Sequence, residues 1–187
     1  LAALIGMLAS GTRADEGMWM PQQIPLLGDE LRQLGLQIDP KAFADLTGFQ
    51  MGAIVSLGGC SATFVSDQGL LVTNHHCVYG ALQYNSTPER DLIKNGFLAR
   101  TQTDELRASP TARVYVTTAI EDVPDRVLGK IGSKVSDAER AKLIDQRRKA
   151  LVKEGEAQGG VRCQVAAFFG GEKYLRLTSM QIKDVRL

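Results

Sequence analysis

Histidine is scarce in this chain of 187 residues, which holds two, and they are neighbours, His75 and His76. Cysteine is nearly as scarce: Cys60, Cys77 and Cys163. No His-Glu-x-x-His or Cys-x-x-Cys spacing occurs, so the common sequence frameworks for zinc are missing. No serine stands in a Gly-x-Ser-x-Gly or Gly-Asp-Ser-Gly setting, so no nucleophile is marked by its neighbours. Net charge is close to zero at +1, with Lys and Arg scattered rather than gathered into a stripe, which argues against a nucleic-acid partner. Repeats, low-complexity tracts and linkers are absent. What is present, 44% hydrophobic and 23% charged residues, is a globular composition, sufficient for one ordinary domain or a piece of a larger one.

The stretch Leu1–Ala14, LAALIGMLASGTRA, is apolar and ends in small residues before Asp15-Glu16. It reads as the remnant of a secretory signal peptide whose charged start is not included, the alternative being a buried first helix. Its run of about ten apolar residues is too short for a membrane span, which needs about 20. Export to an oxidising compartment follows, periplasmic or at the cell surface, and suits a disulfide between Cys60 and Cys77.

Leu26, Leu27, Leu31 and Leu34 recur at helical spacing and are stopped by Gly35, predicting an amphipathic helix that covers a core. Asp39-Pro40 predicts the start of a short helix carrying Phe43 and Leu46 and ending at Gly48. Strands are expected over 51–57, 62–66 and 70–74, the last two joined by the turn Asp67-Gln68-Gly69. Thr87-Pro88 predicts a short helix closed by Gly96, and 113–118 a strand. Ser136 and Glu139 form a capping box at the head of a helix running to about Gly155, with its charges on a solvated face. A hairpin over 161–178 turns at Gly170-Gly171, and a further strand is expected from Gln181 to Leu187. Short strands in quick succession with alternating side chains point to an antiparallel barrel or sandwich, mainly β with added helices.

The stretch from Gly58 to Gly80, GGCSATFVSDQGLLVTNHHCVYG, carries the chemistry. On this reading the second strand of a hairpin delivers His75-His76-Cys77 at its end, and Cys60 and Cys77 bracket the hairpin. A histidine fixed there can serve as a base, given a nucleophile within about 2.6 to 3.2 Å. A Cys60–Cys77 bridge would hold that turn, or would simply add stability, about 3 kcal/mol by loop entropy. His75, His76 and Cys77 could also gather a metal, but only by giving up the disulfide. Ser61, Ser66 and Ser86 are the local serines, and Asp67, Asp91, Asp104 and Asp122 have no special spacing to His76; a triad completed from these is not expected.

Thr73-Asn74-His75-His76-Cys77 resembles the Thr-Ala-Ala-His-Cys signature of chymotrypsin-like serine peptidases. With Asp15-Glu16-Gly17-Met18-Trp19, Gly58-Gly59-Cys60, Asn85-Ser86-Thr87, Lys94-Asn95-Gly96-Phe97, Phe169-Gly170-Gly171 and Asp184-Val185-Arg186-Leu187, in one order from Asp15 to Leu187, the chain resembles the S46 family of bacterial dipeptidyl peptidases. The resemblance implies that 15–187 is the N-terminal part of a peptidase catalytic domain several times longer, a double β-barrel with a Ser-His-Asp triad and an added helical domain. It implies oligopeptide substrates cut to dipeptides from their N-termini, no cofactor, and a homodimer. His76 matches the family's general base, and Cys60–Cys77 its disulfide. The aspartate, the serine with its oxyanion hole, and the residues holding the substrate's amino group fall beyond Leu187, so the fragment alone should not hydrolyse peptides. Without the serine the same chain would read as a non-catalytic secreted barrel, and the triad chemistry alone also allows a trypsin-like endopeptidase. Some members of the family pair the cysteine at the place of Cys163 with one slightly upstream. Residues 152–160 contain none, so Cys163 is a free thiol or bonded elsewhere, and as a buried strand cysteine it is expected to be inert packing.

Overall fold

The computed structural model describes residues 19–187 apart from 133 and 158. The signal-peptide reading of Leu1–Ala14 lies outside the described residues. By compactness the chain divides into two units, Leu1–Ala44 and Asp45–Leu187.

Within the first unit, Pro21–Leu27 is a 3-10 helix that runs into α1, Gly28–Gln33. The long amphipathic helix expected over Leu26–Leu34 is thus only partly formed. Pro21 and Pro25 explain this, because proline lacks the N–H and disfavours the α conformation of the residue before it. Leu26 and Leu34 remain 80% and 75% exposed, so this segment does not bury the stripe that its spacing suggested. Asp39 does cap the following turn, its carboxylate accepting from Lys41 N at 3.0 Å, but that turn is a 3-10 helix confined to Pro40–Phe43.

In the second unit, six antiparallel strands form one sheet: β1 Ile54–Ser56, β2 Ser61–Phe64, β3 Leu71–Thr73, β4 Val114–Asp122, β5 Val161–Phe168 and β6 Lys173–Ile182. Their spatial order is β3-β2-β1-β4-β6-β5. The antiparallel expectation is met, with more helix than "mainly β" implies: α2 His75–Tyr84, α3 Leu92–Asn95, α4 Pro124–Leu128 and α5 Asp137–Gly155. The strand expected over 51–57 is shorter, because Met51–Ala53 forms a 3-10 turn. The helix expected from Thr87-Pro88 begins later, at Leu92, where the Asp91 carboxylate caps the N–H groups of Ile93 and Lys94 at 3.0 Å each. Strand β6 continues to Ile182, so Gln181 does not open a new strand; beyond it Arg186 makes an isolated bridge with Arg107.

Alternation along the strands decides which side chains are buried. Val55, Ala62 and Val114 face inward and are joined by Leu57, Phe64, Leu71, Val116, Ile182 and Val185. A second cluster, Val123, Val127, Leu151, Val165 and Tyr174, forms where α4 and α5 meet β5 and β6. Val127 is fully buried and Val114 nearly so, and each such valine contributes about 1.5 to 3 kcal/mol through removal of its side chain from water. The capping box of α5 is as expected: Ser136 Oγ accepts from Glu139 N at 3.4 Å while Glu139 Oε2 accepts from Ser136 N at 3.2 Å. Its charged face is not all solvated, however. Arg147 donates to the carbonyls of Val127 and Gly129 at 2.8 and 2.7 Å, satisfying the C-terminal end of α4, and Arg148 donates to Val165 O at 2.7 Å.

Candidate functional site

The site is assembled at one end of the β1-β2-β3 meander, from the β1–β2 turn and the junction between β3 and α2. Ile54 to Ser56 pair with Thr63 to Ser61, and Ala62 to Phe64 pair with Thr73 to Leu71. At the far end, Ser66 Oγ accepts from the N–H groups of Gln68 and Leu70 at 3.3 and 3.0 Å, and Gly69 takes a φ of 89° that a side chain would resist. This is the expected turn, and it sets the register that brings Thr73 beside Ala62. At the near end, Leu57 N donates to Cys60 O at 2.8 Å across Gly58-Gly59, and Thr73 Oγ1 donates to Ser61 O at 2.8 Å. Cys60 therefore sits on a tight turn directly beside the end of β3.

The expectation that His75-His76-Cys77 ends a strand is corrected here. Asn74 keeps an extended conformation (φ −79°, ψ 148°), and His75 opens α2. Successive side chains on a helix diverge by about 100° instead of pointing to opposite faces. His75 packs edge-on against Tyr79, one turn along, with ring centroids 6.1 Å apart. His76 turns elsewhere, exposed to solvent, with an imidazole nitrogen within 4.8 Å of both cysteine sulfurs. Cys77, half-buried, is bonded to Cys60, their Cα atoms 6.0 Å apart. The bridge thus ties the first turn of α2 to the β1–β2 turn. The other end of α2 is tied as well, since the Asn85 amide donates to Ala81 O at 2.9 Å and to Arg107 O at 3.0 Å. Asn85 was legible only as part of the Asn-Ser-Thr segment and not as an anchor.

None of the local serines and acids weighed above joins His76. Ser86 Oγ donates to Leu82 O at 2.8 Å and accepts from Leu92 N at 3.0 Å, which commits it to the α2–α3 corner. Ser66 holds the hairpin turn, Asp91 caps α3, Asp104 accepts from Thr101 N at 3.1 Å, and Asp122 pairs with Lys173 at 3.4 Å. Among the described residues no hydrogen bond reaches the His76 ring. His75 and His76 are both exposed, and His76 is the one beside the bridge, with no hydrogen-bonding partner among the described residues. Cys163 is a buried free thiol, its N–H donating to Glu156 Oε1 at 2.9 Å and its sulfur 3.3 Å from Thr178 Oγ1. A buried thiol so placed is packing, as expected.

The antiparallel sheet thus carries a histidine beside a cysteine bridge, and comparison with known proteins identifies the kind of chain it belongs to. The Peptidase S46 family model matches residues 14–187, and the chain belongs to that family. It is 40% identical over 187 residues to the Asp/Glu-specific dipeptidyl-peptidase of Shewanella putrefaciens, covering 100% of this chain and 25% of that relative. It is 35% identical over 185 residues to dipeptidyl-peptidase 7 of Capnocytophaga gingivalis, covering 96% of this chain and 26% of the relative. Among solved structures, Porphyromonas endodontalis DPP11 in complex with the dipeptide Arg-Glu is similar with a TM-score of 0.75 and 32% identity, over 92% of this chain and 26% of that one. The chain spans about a quarter of the length of the relatives it matches. Among the described residues no helix is long and apolar enough to cross a membrane.

Proposed function

We propose that the whole protein is an exported serine exopeptidase that releases dipeptides from the N-termini of oligopeptides, and that this chain supplies its general base, His76. The observation that carries the reading is the mount: in a chain of the S46 family, one of its two histidines stands exposed beside the Cys60–Cys77 bridge at the head of α2. In this reading the present sheet is part of a double β-barrel, and the periplasm or cell surface supplies the oxidising conditions the bridge needs. An aspartate and a serine from the rest of the protein complete the triad. The serine attacks the second peptide bond, His76 takes the hydroxyl proton and returns it to the leaving amine, and the aspartate holds the imidazole tautomer. The commitment of Ser66, Ser86, Asp91, Asp104 and Asp122 to local structure supports assigning those partners elsewhere.

Release of dipeptides requires recognition of a free amino terminus. The whole protein should therefore hydrolyse a chromogenic dipeptidyl substrate with a free amino group and lose that activity when the group is acetylated. Equal turnover of the two substrates would mark an endopeptidase instead, and turnover of neither a non-catalytic protein.

A further inference from the structure

We propose that when the Cys60–Cys77 bridge is reduced, the two thiols and His76 together hold a thiophilic divalent cation of the zinc class. One ligand atom from each of Cys60, His76 and Cys77 lies within 4.8 Å of the others. Sulfurs bound to a tetrahedral zinc at about 2.3 Å sit roughly 3.8 Å apart, and a sulfur and an imidazole nitrogen somewhat closer. From the observed spacing, a zinc geometry needs the sulfur–sulfur bond to open and side-chain rotations to part the sulfurs and bring the imidazole closer. On reduction, hydrogen bonds keep the β1–β2 turn and the end of β3 in place, and the first turn of α2, which loses its clamp, is the part the metal draws back. Leu57 N to Cys60 O at 2.8 Å fixes the first cysteine and Thr73 Oγ1 to Ser61 O at 2.8 Å fixes the strand beside it, while at the second Cys77 N donates to Asn74 O at 3.0 Å.

The chemistry balances in two steps. A dithiol, or a phosphine with water, supplies two electrons and two protons, so that the Cys60–Cys77 bond breaks to two thiols and the reductant ends as a disulfide or a phosphine oxide. The cation then displaces the two thiol protons and binds two thiolates and one neutral imidazole, with solvent in the fourth position. Two sulfurs and one nitrogen select zinc-like ions over magnesium or calcium, which prefer oxygen. A disulfide sulfur carries no thiolate charge, so the oxidised form has no such site. His76 is exposed, giving the ion a direct path from solvent. Where the peptidase reading above holds, an occupied site also withdraws the base. The metal site itself does not depend on that reading, and its test does not use activity.

The whole protein, reduced with a phosphine and freed of metal, is titrated anaerobically with Co2+ in place of zinc. The expected result is a saturable cobalt–thiolate absorption band at one ion per chain, displaced by Zn2+. The band should be absent in the oxidised protein and in the Cys60→Ser, Cys77→Ser double variant, which leaves Cys163 in place. The His76→Ala variant should bind at least roughly tenfold more weakly, whereas His75→Ala should bind as the parent does. No saturable band in the reduced protein, or unchanged affinity in His76→Ala, would overturn the proposal. If reduction loosens α2, added metal should restore its helical circular dichroism, and failure to restore it counts equally against the site.

Discussion

At the scale of single residues, Gly155 and Cys163 form a tight fit between α5 and β5. A Cβ on Gly155 would collide with the Cys163 sulfur and lie 3.2 Å from its Cβ. Alanine is the better helix former by about 1 kcal/mol, yet overfilling a packed core costs about 1 to 3 kcal/mol. Gly155→Ala should therefore destabilise the protein, seen as a lower urea midpoint at unchanged slope. Adding Cys163→Ala should recover part of that loss, because the sulfur that the new methyl meets is gone. A gain in stability from Gly155→Ala alone would contradict this packing. The sequence made Cys163 legible as a buried strand thiol. It could not show what the thiol touches, since the partner glycine reads as the stop of a helix. His75 and His76 illustrate the same limit. That His76 is the histidine next to the bridge was legible through its place before Cys77 in the family-like motif, but the helical turn that separates the directions of the two rings was not.

At the scale of elements, the legible parts were those with local chemistry. Asp67-Gln68-Gly69 announced the β2–β3 turn, Ser136 with Glu139 announced α5, and Gly170-Gly171 announced the β5–β6 turn, where Phe169 also takes a positive φ of 51°. Helix α2 was not legible: HHCVYGALQY has a glycine inside, no side-chain cap at Asn74 and one buried residue, Leu82. Tertiary ties at its two ends do the work that propensity does not. The bridge closes a separation of 17 residues, worth about 3 kcal/mol through the unfolded state. The Cys60→Ser, Cys77→Ser variant should lose stability of that order, and amide exchange should accelerate first over 75–78 and later over the rest of the helix. Uniform acceleration across the whole sheet would show that the bridge does not act as a local clamp.

At the scale of the whole molecule, the helical layer and the sheet are linked by charge as well as by apolar packing. Arg176 on β6 is largely covered and donates to both Glu121 oxygens at 2.8 and 2.7 Å and to Glu154 at 3.0 Å, while Arg126 on α4 also binds Glu154. Arg126 foremost, and then Arg176, hold the Glu154 carboxyl below its ordinary value near 4.5. A carboxyl depressed on folding contributes stability that is present above its unfolded pKa and is lost as pH falls through its folded one. Stability should therefore decline on acidification below about pH 4.5, and Glu154→Gln should lower stability at neutral pH while flattening that acid limb. Glu154 is exposed, so the effect should be modest and weaken in salt. Identical acid limbs in the two proteins would rule the network out as their source. Antiparallel pairing was legible from alternation. The order of the strands was not, because β1 meets β4 across a segment holding two helices that no local signal orders.

The central claim is that His76, and not its neighbour, is the base of a dipeptidyl peptidase. Its most direct test compares His76→Ala with His75→Ala in the whole protein on a dipeptidyl substrate with a free amino group. Turnover should fall about 10^4-fold for His76→Ala with circular dichroism unchanged, and stay near that of the parent for His75→Ala. Near-parent turnover by a folded His76→Ala protein would contradict it.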